Sequence, residues 1–372
     1  MNRLNKKFFW EETVMARFFK FTLNLCLIYL TTAMVIMPTP CIAAAMEAMT
    51  LCVQVVIPSL FPFFVCSRYL AEQGIANLLS RYLSRWMRPL FGVPGGGALA
   101  VVLGIVSGYP IGAATVVNLY ETGTCTKTEA ERLLTFCNNS GPLFVLGAVG
   151  IGMLHNQKIG ILLYLIHGVS ALLTGFLFRK YGKNAMTIAT LPPSNAPRSN
   201  PASAFATAVS DGVSAILKVC GFVILFSVFC KVLPWQSPWL YVLLEITGGV
   251  HAIVEESLSM EVLLPVLSFF LALSGLSVLL QTAGIVLPAG LSLRPYLLGK
   301  LVQAGIAFAL TVFLCKGLPI SQPAFSGTVP TPPLPTISQL FALTLAEILV
   351  ALTVAGLFCL TGLIVTRFQR KK

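Results

Sequence analysis

Charge is scarce in this chain: of 372 residues, 10% are Asp, Glu, Lys or Arg, and just 13 are acidic. A soluble domain usually carries about 25% charged residues, which argues against a water-soluble enzyme. Catalytic signatures are missing as well. There is no P-loop, no G-x-S-x-G, no H-E-x-x-H and no carboxylate pair in a water-accessible setting. The three histidines, His155, His167 and His251, lack metal-ligand spacing, and the ten cysteines include no C-x-x-C. Most of those cysteines lie inside apolar runs and read as small packing residues. Enzyme activity, a bound metal and a resident cofactor are therefore not expected.

What fills the chain is apolar: 56% hydrophobic residues, with a mean hydropathy of +0.85. Ten hydrophobic segments stand out: 18–37, 42–70, 95–120, 133–154, 159–178, 208–233, 240–254, 262–287, 296–315 and 340–365. Stretches of roughly 20 such residues match the hydrocarbon core of a bilayer. The net charge of +12 sits in short loops beside these segments, a topology pattern that argues against nucleic-acid binding. Arg3, Lys6, Lys7, Arg17 and Lys20 ahead of an apolar run, with Ala43-Ala44-Ala45 behind it, imitate a signal peptide. The next apolar segment begins almost at once, so a membrane anchor is expected instead.

If all ten segments crossed, the basic loop after residue 178 would face outside, against the positive-inside rule. Letting 95–120 and 240–254 dip in and return removes the conflict. The expected architecture is then all-α and polytopic, with about eight transmembrane helices and two re-entrant broken helices. Both termini lie inside with Arg81, Arg85, Arg88, Lys127 and Arg132, while Lys158, Lys231 and Lys316 lie outside. Each half makes an odd number of crossings, so the halves form an inverted repeat. Short parallels agree: Leu103-Gly104-Ile105-Val106-Ser107-Gly108 with Leu244-Glu245-Ile246-Thr247-Gly248-Gly249, and Ser140-Gly141 with Ser274-Gly275. The expected division is 1–40, tail and first anchor; 41–182, first repeat; 183–204, proline-rich linker; 205–316, second repeat; 317–338, proline-rich loop; and 339–372, last span and basic tail. The basic segment 78–90 has helical spacing and is expected along the inner membrane surface.

The apolar segments are broken by polar and small residues, most sharply at Ser107-Gly108-Tyr109-Pro110, Asn138-Asn139-Ser140-Gly141-Pro142, Thr247-Gly248-Gly249 and Ser274-Gly275. Unpaired backbone groups cost several kcal/mol each in lipid, so breaks persist only where protein or a polar cavity satisfies them. Broken helices at membrane depth commonly form transporter sites. Pro142 stops one helix and starts another, with Asn139 or Ser140 as the expected cap. Its amide end attracts a carboxylate or phosphate. The candidate binding residues are Ser107, Gly108, Tyr109, Asn138, Asn139, Ser140, Gly141, Thr247, Gly248, Ser274, Ser277 and Gln281. Ser274, Ser277 and Gln281 are expected on one helix face. Glu245 and Lys218 are candidates for coupling or counter-charge, because an intramembrane charge needs a partner or a cavity.

The segments around Val56-Ile57-Pro58-Ser59-Leu60-Phe61-Pro62, Ser107-Gly108-Tyr109-Pro110-Ile111-Gly112 and Cys137-Asn138-Asn139-Ser140-Gly141-Pro142-Leu143-Phe144 resemble the YlbJ family of sporulation integral membrane proteins. Leu244-Glu245-Ile246-Thr247-Gly248 and Ser274-Gly275-Leu276-Ser277 extend the likeness over roughly residues 20 to 315. That resemblance implies the Gate, or nucleoside-recognition, domain and a role in endospore formation. It also implies movement of dipicolinic acid across the outer forespore membrane. Val250-His251, Glu255-Glu256 and the proline-rich stretch before the last span depart from the family pattern. A nucleoside or other heterocycle transporter and a non-transporting scaffold or receptor remain open. A membrane enzyme acting on lipid or wall precursors has no motif behind it. The expected partners are a small anion, the lipid bilayer and a second copy of the chain.

The topology is testable by single cysteines in an otherwise cysteine-free background. Arg88→Cys, Lys127→Cys and Lys183→Cys should label only from the inner side, and Lys158→Cys only from the outer side. Labelling of Lys127→Cys from outside would remove the first re-entrant element.

Overall fold

The computed structural model describes residues 21, 23–72, 75–182, 200–233 and 237–315. Every regular element among them is helical. The order is α1 Leu23–Ile36, α2 Pro38–Leu51, a π-turn at Cys52–Val56, α3 Ile57–Glu72, α4 Ile75–Phe91, α5 Ala98–Val106, α6 Ile111–Glu121 and α7 Lys127–Leu134. A π-helix, Leu143–Met153, precedes α8 Gln157–Leu177 and α9 Pro201–Val232. The chain continues with α10 Pro238–Leu244, α11 Ile246–Val254, α12 Met260–Leu273, α13 Gly275–Val286 and α14 Arg294–Cys315. The residue 1–20 tail, most of the 183–204 linker, the 317–338 loop and the last expected span lie outside the described residues. Pro201 opens α9, so the linker's final residues are already helical, with proline at a favoured first position.

The chain divides into two compact units. Among the described residues, the smaller comprises 21, 23–42 and 232–233; within it Tyr29 Oη donates to the Val232 carbonyl at 2.5 Å. The larger, whose described residues are 43–72, 75–182, 200–231 and 237–315, holds all four interruptions.

Four helical runs are long and apolar enough to cross a membrane: Gln157–Lys180, Pro201–Val232, Met260–Val286 and Arg294–Cys315. Two sharply bent pairs, Leu23–Ile36 with Pro38–Gln54 and Arg81–Phe91 with Gly95–Val106, would raise the number to at most six among the described residues if each counted as one span. The chain is a polytopic all-α membrane protein. Its long helices have the polarity this requires. On α8, Ile161, Leu165, Val169, Leu172 and Phe176 are exposed, whereas His167, Ser170 and Thr174 are buried. On α14, Leu298, Leu301, Phe308 and Phe313 face outward, and Lys300, Gln303 and Thr311 face inward. Lipid accepts the apolar face, and other helices supply partners for the polar one.

Segments 95–120 and 240–254 fold as short hairpins. Helices α5 and α6 have 9 and 11 residues, so each reaches only about 13–17 Å into a hydrocarbon core of about 30 Å. Helices α10 and α11 are shorter still, with 7 and 9 residues. Segment 133–154 is not one rod. Helix α7 ends at Leu134, an irregular stretch runs to Gly141, and the π-helix follows. Each half therefore shows the same order of elements: a hairpin, an interrupted helix and a long helix.

Glycine sets the closest approaches. A Cβ on Gly104 would stand 1.6 Å from the Cys137 carbonyl oxygen, and one on Gly112 would stand 2.1 Å from the same atom. The first hairpin thus grips the second interruption between its two arms, backbone against backbone. Gly150 and Gly160 meet in the same way: a Cβ on Gly150 would lie 2.6 Å from the Gly160 Cα.

Gly104→Val should therefore destabilise the protein by about 3 kcal/mol or more, because backbone has to move. Gly168→Ala meets nothing within 4 Å and should be neutral or stabilising by up to about 1 kcal/mol. Thermal unfolding in detergent separates the two.

Candidate functional site

The four interruptions meet. Tyr109 N donates to the Asn139 carbonyl at 2.7 Å, and a Cβ on Gly108 would lie 2.6 Å from Gly141 N. These contacts join the first break to the second. Ser140 Oγ donates to the Leu271 carbonyl at 3.1 Å, which ties the second break to the end of α12. A Cβ on Gly275 would stand 3.3 Å from the Val242 carbonyl oxygen and 3.4 Å from Ile246 N, joining the fourth break to the third. Gly108 (φ +76°), Ser274 (φ +73°) and Gly275 (φ +71°) occupy the left-handed region, which turns the chain sharply at two of the breaks.

The third break lies three residues earlier than Gly248. Glu245 is the extended residue between α10 and α11 (φ −139°, ψ 119°), and its carboxylate accepts from Thr247 N at 2.9 Å and Gly248 N at 2.6 Å. Thr247, Gly248 and Gly249 are already helical. Their small size serves packing: a Cβ on Gly249 would be 2.1 Å from the Val242 Cα, and one on Gly248 would meet the Tyr241 ring. A carboxylate that can cap two amides at a helix start decides where the chain turns; the glycines decide how tightly the arms close.

Between the breaks lies a cavity of about 30 Å³, lined by polar or small groups from all four: Ser107, Tyr109, Gly141, Glu245, Thr247, Ser277 and Gln281. Its apolar wall includes Phe64, Phe144 and Phe222. The π-helix and α13 begin on this cavity through Leu143 and Phe144, and through Ser277 and Val278. Neither start has a side-chain cap. By contrast, α11 carries its own carboxylate.

The other expected site residues do not line the cavity. Asn138 is buried and fully engaged: its Oδ1 accepts from Ala113 N at 3.3 Å, and its Nδ2 donates to Thr282 Oγ1 at 2.9 Å and to Tyr296 Oη at 3.4 Å. Contrary to the expectation from the sequence, neither Asn139 nor Ser140 caps the following helix. Asn139 Nδ2 donates to the Phe136 carbonyl at 2.6 Å, and Ser140 N donates to His167 Nε2 at 3.1 Å. The Ser274 hydroxyl turns back to the Leu271 and Ala272 carbonyls, each at 3.4 Å, leaving Ser277 and Gln281 as the pair from that helix facing the cavity. Gly108 sets a backbone contact with Gly141, and Gly248 leaves room for the Tyr241 ring. Lys218 is exposed on α9, and Asp211, two turns before it, pairs with Arg68 Nε at 2.8 Å.

Sequence reasoning missed the cluster behind the second break. Lys300 is 2% exposed. Its Nζ donates to Gln303 Oε1 at 3.0 Å and Asn139 Oδ1 at 3.4 Å. Gln303 Nε2 donates to the same Asn139 oxygen at 3.0 Å and to the His167 carbonyl at 3.4 Å. The signal was present: Lys300 is the sole charge in the 296–315 run, and Gln303 follows it at i+3.

The division between scaffold and lining can be tested. Asn138→Ala removes three hydrogen bonds in a buried setting and should cost about 3 kcal/mol. Gln281→Ala on the cavity wall should stay within about 1 kcal/mol of wild type. Unfolding midpoints in detergent report both.

Comparison with known proteins bears on this geometry. Residues 53–156 match the Gate family, described as nucleoside recognition. That span takes in the first two breaks and the first hairpin. No solved structure matches the chain. The sporulation integral membrane protein YlbJ of Bacillus subtilis (strain 168) is 31% identical over 332 residues, covering 78% of this chain and 81% of that protein. The chain, with its paired hairpins and converging helix breaks, is a member of the YlbJ family of sporulation integral membrane proteins.

Proposed function

We propose that this protein is a membrane transporter for a small planar aromatic anion, dipicolinate, acting at the outer forespore membrane during sporulation. One observation carries the reading: two uncapped helix starts, at Leu143 and Gly275, open onto a single cavity at the meeting point of four chain breaks. Helix starts present amide hydrogens and a positive dipole end, which favour a carboxylate. Two such ends suit a solute bearing a carboxylate at each side of a ring. Tyr109, Phe64, Phe144 and Phe222 supply faces for the ring, and Gln281 and Ser277 supply polar contacts.

A cavity of about 30 Å³ holds about one water. Admission of the solute therefore requires the walls to part, as alternating access demands. Glu245, buried at the wall with both oxygens on backbone amides, is the candidate for binding a coupling proton or cation. A second reading, transport of a nucleoside or another neutral heterocycle, draws on the nucleoside-recognition match and on the amide of Gln281.

Reconstituted vesicles decide among these. Labelled dipicolinate should enter above the level of empty vesicles, and excess nucleoside should leave that flux unchanged. Tyr109→Ala and Gln281→Ala should each lower uptake about tenfold, the equivalent of about 1.4 kcal/mol. Absence of flux with folded protein would overturn the reading, and nucleoside flux would select the second. A pure scaffold would leave spore dipicolinate content normal in both variants.

A further inference from the structure

We infer that Lys300 is a proton site of this protein: its buried amine takes up a proton from water when an anion enters the cavity, and releases it when the anion leaves. The inference rests on the transport reading above and adds to it the ion that moves with the solute. It starts from an imbalance. Lys300 is the seventh residue of α14, 2% exposed, and no carboxylate lies within ion-pair distance of its Nζ among the described residues. A lysine charge held in a membrane span without a partner is costly and marks a functional position.

The hydrogen bonds specify the resting form. Nζ has two acceptors, Gln303 Oε1 at 3.0 Å and Asn139 Oδ1 at 3.4 Å. A neutral amine has two N–H groups and fills both. An ammonium has a third, for which the cluster provides no acceptor. His167 adds to the surplus of donors. Its Nε2 accepts from Ser140 N at 3.1 Å, so the ring proton is on Nδ1, which is buried and has no partner. Protonating His167 would set Nε2–H against the Ser140 amide and break the contact that holds the second interruption. Lys300 can gain a proton without breaking any bond.

Among the described residues, the surroundings add no other compensating charge. From α14 itself, the Tyr296 ring stands 6.0 Å from Nζ. The second break contributes the Cys137 thiol, and α8 contributes His167. Helix α12 offers the Ser268 hydroxyl, which is committed to the Ala307 and Pro265 carbonyls. On α7, Glu131 accepts from Ser292 N, Glu129 caps its own helix, and Arg132 donates to the Gly92 and Tyr181 carbonyls. No described residue supplies the missing negative charge; an anion in the cavity does. Asn139 bridges Lys300 to the second break, and Gly141, two residues on, lines the cavity. An anion bound there raises the proton affinity of the amine behind it, and the added proton offsets the anion's charge during passage.

Calorimetry of dipicolinate binding to purified full-length protein, in two buffers of different ionisation enthalpy at the same pH, counts the protons. Wild type should take up about one proton per solute bound. Lys300→Met should bind dipicolinate at least tenfold more weakly and take up none, while Lys158→Gln, at an exposed position at the start of α8, should retain the uptake. Binding in the wild type without proton uptake would overturn the inference, as would an unchanged count in Lys300→Met. Lys300→Gln, which keeps a polar head, serves the same measurement if the methionine variant does not fold. Failure of the wild type to bind dipicolinate at all would instead remove the transport reading, and this inference with it.

Discussion

A chain that interrupts its own helices inside lipid must find partners for every backbone group it frees, and here other interruptions and their neighbours supply them. The Asn139 carbonyl, left over at the second break, takes the Tyr109 amide from the first. The Ser140 amide goes to a histidine from a neighbouring span, and the Ser140 hydroxyl goes to the carbonyl at the end of α12. The third break satisfies its own helix start with the Glu245 carboxylate. Each break is thus tolerable because the others or their supports lie against it. Removing one would leave polar groups stranded, so the centre of the larger unit stands or falls as a block.

This mutual satisfaction separates the polar residues into two tasks. Asn138, Asn139, Ser140 and Ser274 spend their side chains on holding the breaks, and none of them lines the cavity. Ser107 and Tyr109 from the first break, Gly141 from the second, and Ser277 and Gln281 from α13 line it. The division follows from geometry: at a sharp turn, successive side chains point in different directions, so one motif provides both a brace and a wall.

Much of this was legible from the residues. Proline and glycine placed the breaks at 107–110 and 138–142, because neither residue sustains a helix there, and the charge of the loops pointed to short hairpins at 95–120 and 240–254. The third break was misplaced because glycine was read as a hinge, whereas its lack of a side chain serves close packing and the acidic residue before it makes the turn. The expected cap at Asn139 or Ser140 failed for a related reason: partners on α8, α12 and α14 displace the local amides, and nothing in the local sequence reports a partner 27 to 164 residues away. Lys300 escaped notice because a lone lysine near the start of an apolar span reads equally well as one that extends to the interface.

The contact between Gly150 on the π-helix and Gly160 on α8 has a mechanical meaning. Two backbones touch there without an intervening side chain, so no interlocked rotamers resist a change of angle between them. The π-helix carries one wall of the cavity, and α8 carries the histidine that braces the second break. A smooth bearing between those two elements lets the wall tilt while the brace stays in place.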